Sequence, residues 1–291
     1  MLSRRQLIAT AVALPFATAA PAAAAPQGAL AQLERRAGGR LGVAAFDSET
    51  GQRLSWRGDE RFALCSTFKL LAVAAVLQRA QAGQENLDRW IPYGSADLLE
   101  YAPVTRAHLN AGGMTLAALC AAAIQYSDNT AANLLLASLG GPRAVTVYAR
   151  SLGDGVTRLD RTEPTLNSAL PGDPRDTTTP NAMLQDARVL LLGEALAQAP
   201  RQSLTSWLMS GQTGATLIRA GLPRGWSAGD KSGRGGNGST NDVAIIFPPT
   251  GKPALLAVYF TGSSGSAAAR EAVVAEAARV TLMDLPRVSP S

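Results

Sequence analysis

The chain has 291 residues, 46% of them hydrophobic and 17% charged, an ordinary globular composition with enough length for one large core or two small ones. The net charge of +5 is modest and two of those charges are Arg4 and Arg5 at the N-terminus; scattered arginines and only 5% aromatics argue against a nucleic-acid surface. Beyond the N-terminus no apolar run reaches the roughly 18 residues a membrane-spanning helix needs, and two cysteines with a single histidine leave no set of Cys and His ligands for zinc.

Residues 1–25, MLSRRQLIATAVALPFATAAPAAAA, read as an export leader: a basic start, an apolar stretch from Leu7 to Phe16, then small residues suited to cleavage. Ser3-Arg4-Arg5-Gln6-Leu7-Ile8 resembles a twin-arginine signal, the alternative being an ordinary secretory leader with two arginines. The expected location is periplasmic or secreted. No cysteine near the cleavage region offers a lipid anchor, so the processed chain, residues 26–291, is expected as a single catalytic domain and a monomer without a membrane anchor. Cys65 and Cys120 are expected as free, buried thiols.

In chain order, a helix is expected over Ala29–Ala37, then strands over Leu41–Phe46 and Gln52–Trp56 joined by a turn at Glu49-Thr50-Gly51. Ser66–Ala82 is apolar almost all round and predicts a central helix stopped by Gly83. Helices over Thr115–Gln125, Thr130–Leu139 and Arg143–Leu152 follow, separated by Gly140-Gly141-Pro142 and closed by Gly153. Residues 154–178 lose periodicity and predict a long functional loop. Thr179-Pro180 reads as an N-cap and first helical residue, opening a helix through Ala197. Strands over Trp226–Ser232, Asp242–Phe247 and Ala254–Phe260 and a last helix over Ala267–Leu282 complete the chain. The fold class is α+β: one antiparallel sheet packed with terminal helices, from about 26–60 and 208–291, and an inserted helical lobe, about 61–207, with the site in the cleft between them.

A Ser-His-Asp hydrolase needs a histidine base, and His108 stands in a polar connection far from every serine motif. Lysine usage is more informative, because only Lys69, Lys231 and Lys252 are lysines among 27 basic residues. Arginine is never neutral in a protein, whereas a desolvated lysine can lose its proton and act as a base. Lys69 follows Ser66 by three residues, so on a helix the amine shares a face with the hydroxyl. Ser66 at the start of that helix would also feel its positive dipole end. Ser127-Asp128-Asn129 falls at a break between two helices, where a second hydroxyl and a carboxamide can point into a cleft, or simply cap a helix. Lys231-Ser232-Gly233 lies on an expected edge strand, with glycine admitting a substrate backbone, or is a turn entry before Gly235-Gly236-Asn237-Gly238.

In this order, the three elements resemble the signature of penicillin-recognising serine hydrolases. The likeness narrows to class A β-lactamases through Glu163-Pro164-Thr165-Leu166-Asn167 in the long loop, flanked by Arg161 and Asp176 as an ion pair. Thr67-Phe68, Tyr101 with Pro103-Val104-Thr105, and Thr130-Ala131-Ala132-Asn133-Leu134-Leu135 agree, so the resemblance spans essentially the whole processed chain. It implies that Ser66 is acylated by a small β-lactam, with Lys69, or Glu163 through a water, as base, and that Ser127 passes a proton to the leaving nitrogen. Backbone N–H groups of Ser66 and Arg234 would form the oxyanion hole. Lys231 and Ser232, beside Gly233, would hold the substrate carboxylate, with Asn129 on the side-chain amide and Tyr101 bordering the site. Glu163 and Asn167 would position the deacylating water. No cofactor or metal is implied.

The chain departs from the family in carrying Ser232 where many relatives have threonine, and in lacking a clear match to the arginine that supports the carboxylate pocket, a role Arg234 could take. Val73 stands where some relatives have the cysteine that pairs with the equivalent of Cys120, and Arg234-Gly235-Gly236 cannot supply the disulfide partner of Cys65 found in some carbapenem-hydrolysing relatives. Rival readings are a D,D-peptidase or a β-lactam sensor, both of which acylate and deacylate slowly, and a general esterase.

Overall fold

A computed structural model describes residues 24–284; the leader read over residues 1–25 lies outside it, except for Ala24 and Ala25. These open α1 (Ala24–Ala37), which is followed by β1 (Arg40–Asp47), β2 (Arg53–Trp56) and the short β3 (Phe62–Ala63). A 3-10 turn, Cys65–Thr67, leads into α2 (Phe68–Gln81). Next come β4 (Trp90–Pro92), α3 (Pro103–Ala107), β5 (Gly113–Thr115), α4 (Leu116–Gln125), α5 (Asn129–Leu139) and α6 (Arg143–Ser151). After the long loop stand β6 (Thr177–Thr178), α7 (Pro180–Leu191), α8 (Gln198–Met209), β7 (Ser227–Arg234), β8 (Thr240–Phe247), β9 (Ala254–Thr261) and α9 (Ala267–Asp284).

The main sheet is antiparallel with strand order β2-β1-β9-β8-β7, so the first and last strands of the chain meet at its centre and β7 is an edge. Both faces are covered. Along β9, Leu255, Ala257 and Tyr259 join the core under the helices, while Leu256, Val258 and Phe260 join a second core under α1 and α9. That strict period of two is the pleat of a strand, and burial on both sides explains why β8 and β9 read as continuous apolar runs. Each fully buried Leu or Ile in these layers contributes about 1.5–3 kcal/mol.

α2 is the axis of the helical part: every residue from Phe68 to Leu77 is buried. Its leucines and alanines favour helix, and Gly83, at φ 70°, ends it in a left-handed conformation. Thr115, Asp128 and Thr179 cap α4, α5 and α7 by accepting the N–H of the residue three further on.

Three expectations need correction. Ser66 lies in the 3-10 turn before α2 rather than on the α-helix itself. The helix opened by Thr179-Pro180 stops at Leu191, ahead of Gly193, a residue type that costs about 1 kcal/mol in a helix interior. A separate helix, α8, then packs on β7; the lobe boundary drawn at residue 207 falls inside it. The short strands β3 and β6, which pair with each other, and β4 with β5, are also additions.

Candidate active site

The α2 entry, the α4–α5 junction, β7 and the 154–178 loop converge on one cavity of about 300 Å³, bordered by Ser66, Tyr101, Ser127, Asn129, Asn167 and residues 232–234. The backbone is forced where it presents the two hydroxyls: Cys65 and Ser127 have φ of 46° and 58°, conformations that cost non-glycine residues of order 1–3 kcal/mol. The turn at Ser127 is held by Asp128, whose carboxylate accepts from the N–H groups of Val104, Thr105 and Ala131 and the Thr105 hydroxyl.

Lys69 is the hub. Its Nζ donates to Ser66 Oγ at 3.0 Å, the Ser127 carbonyl at 2.7 Å and Asn129 Oδ1 at 2.7 Å, and pairs with Glu163 Oε1 at 3.0 Å. Neither the Lys69 nor the Glu163 side chain has any exposed surface. Burial pushes the Lys69 amine below its usual value, and the adjoining Glu163 offsets this only in part. An amine so placed can take up and give back the proton of Ser66. Ser66 Oγ also donates to Glu163 Oε1 at 3.2 Å, so the hydroxyl touches both candidate bases.

Lys231 enters from the edge strand and donates to Ser127 Oγ at 3.0 Å, placing Ser127 between two lysines. Burial, reinforced by the Lys69 charge, lowers the Lys231 amine to about 7, while Asp230, Asp242 and Glu163 oppose the shift. Glycine suits position 233: a Cβ there would lie 3.1 Å from the Leu64 carbonyl and the Ser66 nitrogen, a tight approach, because β7 lies directly against the Ser66 turn.

Glu163 stands in the loop, in a turn just before a short 3-10 segment, Thr165–Ser168, and is held by side chains. Asn133, on α5, brackets it with both amide atoms, donating to the Glu163 carbonyl and accepting its N–H at 2.9 Å each. Asn167 Nδ2 donates to Glu163 Oε2, and Asn167 Oδ1 is buried with no protein donor. The loop's base is closed by Asp176, which accepts from the N–H groups of Asp160 and Arg161 and pairs with the Arg161 guanidinium at 2.5 Å.

Ser232 Oγ shares a 2.7 Å hydrogen bond with Thr213. Arg234, half exposed at the rim, donates to Glu271 of α9 and to the Thr213 carbonyl. Tyr101 is exposed at the mouth, its carbonyl accepting the Asn129 N–H. Thr213, Asn133 and Glu271 are contacts that sequence reasoning did not assign. Asn133 carried a usable signal, lying four residues after Asn129 on the same helical face; Thr213 and Glu271 carried none. Both thiols are free and buried, and burial pushes the Cys65 thiol up to about 12, so it is inert. His108 lies on the surface, its ring bonded to the Val104 carbonyl. Among the described residues, no group of three or more His, Cys, Asp or Glu side chains could hold a metal ion.

Comparison with known proteins places this geometry. The model of the "Beta-lactamase enzyme family" matches residues 25–284. Beta-lactamase CTX-M-8 of Citrobacter amalonaticus is 52% identical over 251 residues, covering 86% of each chain. Beta-lactamase OXY-2 of Klebsiella oxytoca is 48% identical, covering 96% of this chain and 97% of its own. Among solved structures, an ancestral (GNCA) class A β-lactamase superposes with a TM-score of 0.87 at 57% identity, covering 89% of this chain and 99% of that one.

Proposed function

This chain belongs to the class A β-lactamase enzyme family, and on that premise we propose that it opens the β-lactam ring of penicillins and cephalosporins through an acyl-enzyme on Ser66. The observation that carries the proposal is the continuous chain of contacts from Glu163 and Lys69 through Ser66 and Ser127 to Lys231.

In acylation, Ser66 Oγ attacks the lactam carbonyl as its proton passes to Lys69 or Glu163. The Oγ–C bond forms and the charge on the carbonyl oxygen is met by the N–H groups of Ser66 and Arg234, a kind of donor pair whose loss costs hydrolases about 3 kcal/mol. As the C–N bond breaks, Ser127 protonates the leaving nitrogen and is reprotonated from Lys69. The two lysines flanking Ser127 favour its transient negative charge. Lys231, Ser232 and Thr213 receive the substrate carboxylate, Arg234 adds a positive rim, and Asn129 takes the side-chain amide beside Tyr101. In deacylation, Glu163 removes a proton from a water that adds to the ester, with the unpartnered Asn167 Oδ1 as its second acceptor. That step distinguishes a resistance enzyme from a D,D-peptidase or sensor, and the Asn133 bracket on Glu163 favours it over both.

Among the described residues no helix is long and apolar enough to cross a membrane. The basic, apolar and small-residue order of residues 1–25 supports export to the periplasm or outside the cell, and the SRRQLI segment favours the twin-arginine route. The test is hydrolysis of a chromogenic cephalosporin by the wild type and Ser66→Ala. Steady turnover by the wild type and none by the variant is expected. Equal rates, or no turnover in either, would overturn the proposal.

A further inference from the structure

A cavity with a strongly charged lining lies outside the catalytic cleft. It encloses about 560 Å³ where the start of α6 meets the first residues of the long loop, and Arg61, Arg143, Arg150 and Arg158 all line it. Asp160 is the one acidic residue on its wall and is taken up by Arg158, which forks onto it with bonds of 2.8 and 2.6 Å.

The other three guanidiniums form no ion pair among the described residues. Arg61 Nη1 donates to the Val156 carbonyl and the Thr177 hydroxyl, and Arg150 Nη1 donates to the carbonyls of Asp154 and Thr157. These neutral acceptors fix both forks in place without cancelling their charge. Among the described residues the Arg143 guanidinium has no hydrogen-bond or ionic partner, and Arg143 is the first residue of α6, whose N-cap Pro142 provides no side-chain cap. Three like charges gathered round one cavity repel one another, and the helix dipole adds positive potential at the same point. Neutral acceptors thus hold the Arg61 and Arg150 forks in position, Asp186 acts on Arg150 through its charge alone, and among the described residues no carboxylate is within ion-pairing distance of Arg61, Arg143 or Arg150.

We propose that this cavity binds a compact oxyanion of two or more negative charges, of the phosphate and diphosphate class. Planar guanidinium forks match such oxygens two at a time, and the volume accepts a small molecule of that size. The site adjoins the catalytic loop: Thr146 of α6 exchanges hydrogen bonds with both the N–H and the carbonyl of Leu159, and Asp160 accepts the N–H of Asp176. A bound anion therefore tightens the segment that leads into Arg161 and Glu163.

The test uses the purified protein in a buffer free of phosphate and sulfate, with inorganic pyrophosphate as probe and sodium chloride at matched ionic strength as control. Pyrophosphate is expected to raise the unfolding temperature saturably, whereas chloride does not, and to slow hydrogen exchange across residues 156–160. Arg143→Ala, which removes no contact within the protein, is expected to weaken binding about tenfold or more, the effect of losing one charge-assisted hydrogen bond, and Arg143→Glu to abolish it. Absence of saturable binding, an equal response to chloride, or unchanged affinity in both variants would overturn the proposal.

Discussion

The two halves of the catalytic apparatus are held in different ways. Ser66 and Lys69 stand at the entry of a helix whose next eight residues are buried, and Lys231 projects from a strand hydrogen-bonded along its full length to β8. Glu163 stands on a loop with no core of comparable extent, positioned by Asn133, Asn167 and the ion pair at the loop's base. On the proposed mechanism, packing thus fixes the groups that form the acyl-enzyme, while polar contacts fix the group that releases it. Polar arrangements fail when one partner is removed, because the other is left buried and unpaired. Damage to the loop should therefore uncouple deacylation from acylation.

The largest expected effect is on the packed side. Lys69→Ala should slow acylation on the order of 10²–10⁴-fold, the range of a lost general base, with α2 intact by circular dichroism. An acylation rate within tenfold of wild type would transfer that role to Glu163. On the loop side, Asp176→Ala should cost about 3–5 kcal/mol, as breaking a buried pair does, and should slow deacylation more than acylation, read by denaturant unfolding and single-turnover kinetics. Equal slowing of both steps would erase the distinction drawn above.

The loop also begins over a buried acid pair. Asp154 faces Asp186 of α7, and among the described residues neither oxygen of Asp186 has a hydrogen-bond donor; burial and Asp154 push the Asp186 carboxyl up to about 9, with the Arg150 charge opposing them. A proton held between the two carboxyls satisfies both. Folded protein thus binds a proton that the unfolded chain releases near 4, so the contribution of this carboxyl to stability is fully present below that pH and is lost as pH rises towards 9. Asp186→Asn supplies the donor without titrating. It should stabilise the protein at pH 8 by on the order of a few kcal/mol and flatten this slope; destabilisation at pH 8 would show the carboxyl to be ionised.

Smaller effects belong to the rim. The Lys231 amine titrates near 7, so in the free enzyme it loses its charge as pH rises above that value, and KM for carboxylate-bearing substrates should climb between pH 7 and 9. Arg234→Ala should raise KM about three- to tenfold with kcat nearly unchanged, since an exposed charge contributes little more than about 1 kcal/mol. Loss of kcat instead would mean that the side chain orients the oxyanion donor.

How much of this was legible in the sequence follows from the same contrast. The Ser66–Lys69 spacing, the lysines retained in an arginine-rich chain, and the apolar runs of β8 and β9 are local signals, and the layered architecture followed from strands near both ends of the chain enclosing a helical middle. Glu163 sits in a segment without period and was found through likeness to a family, not through pattern. Thr213 and Glu271 meet Ser232 and Arg234 only through tertiary folding, and no spacing announces such contacts. α8 escaped because Pro200 and six polar side chains blur its apolar stripe, and its burial rests chiefly on Leu204 and Leu208.

The most direct test of the division between forming and releasing the acyl-enzyme is intact-mass analysis of Glu163→Ala mixed with a cephalosporin and followed in time. The account predicts a stoichiometric adduct on Ser66 that persists for at least a thousandfold longer than in the wild type, by an order-of-magnitude expectation for a lost base. Wild-type turnover by the variant, or no adduct at any time, would contradict it.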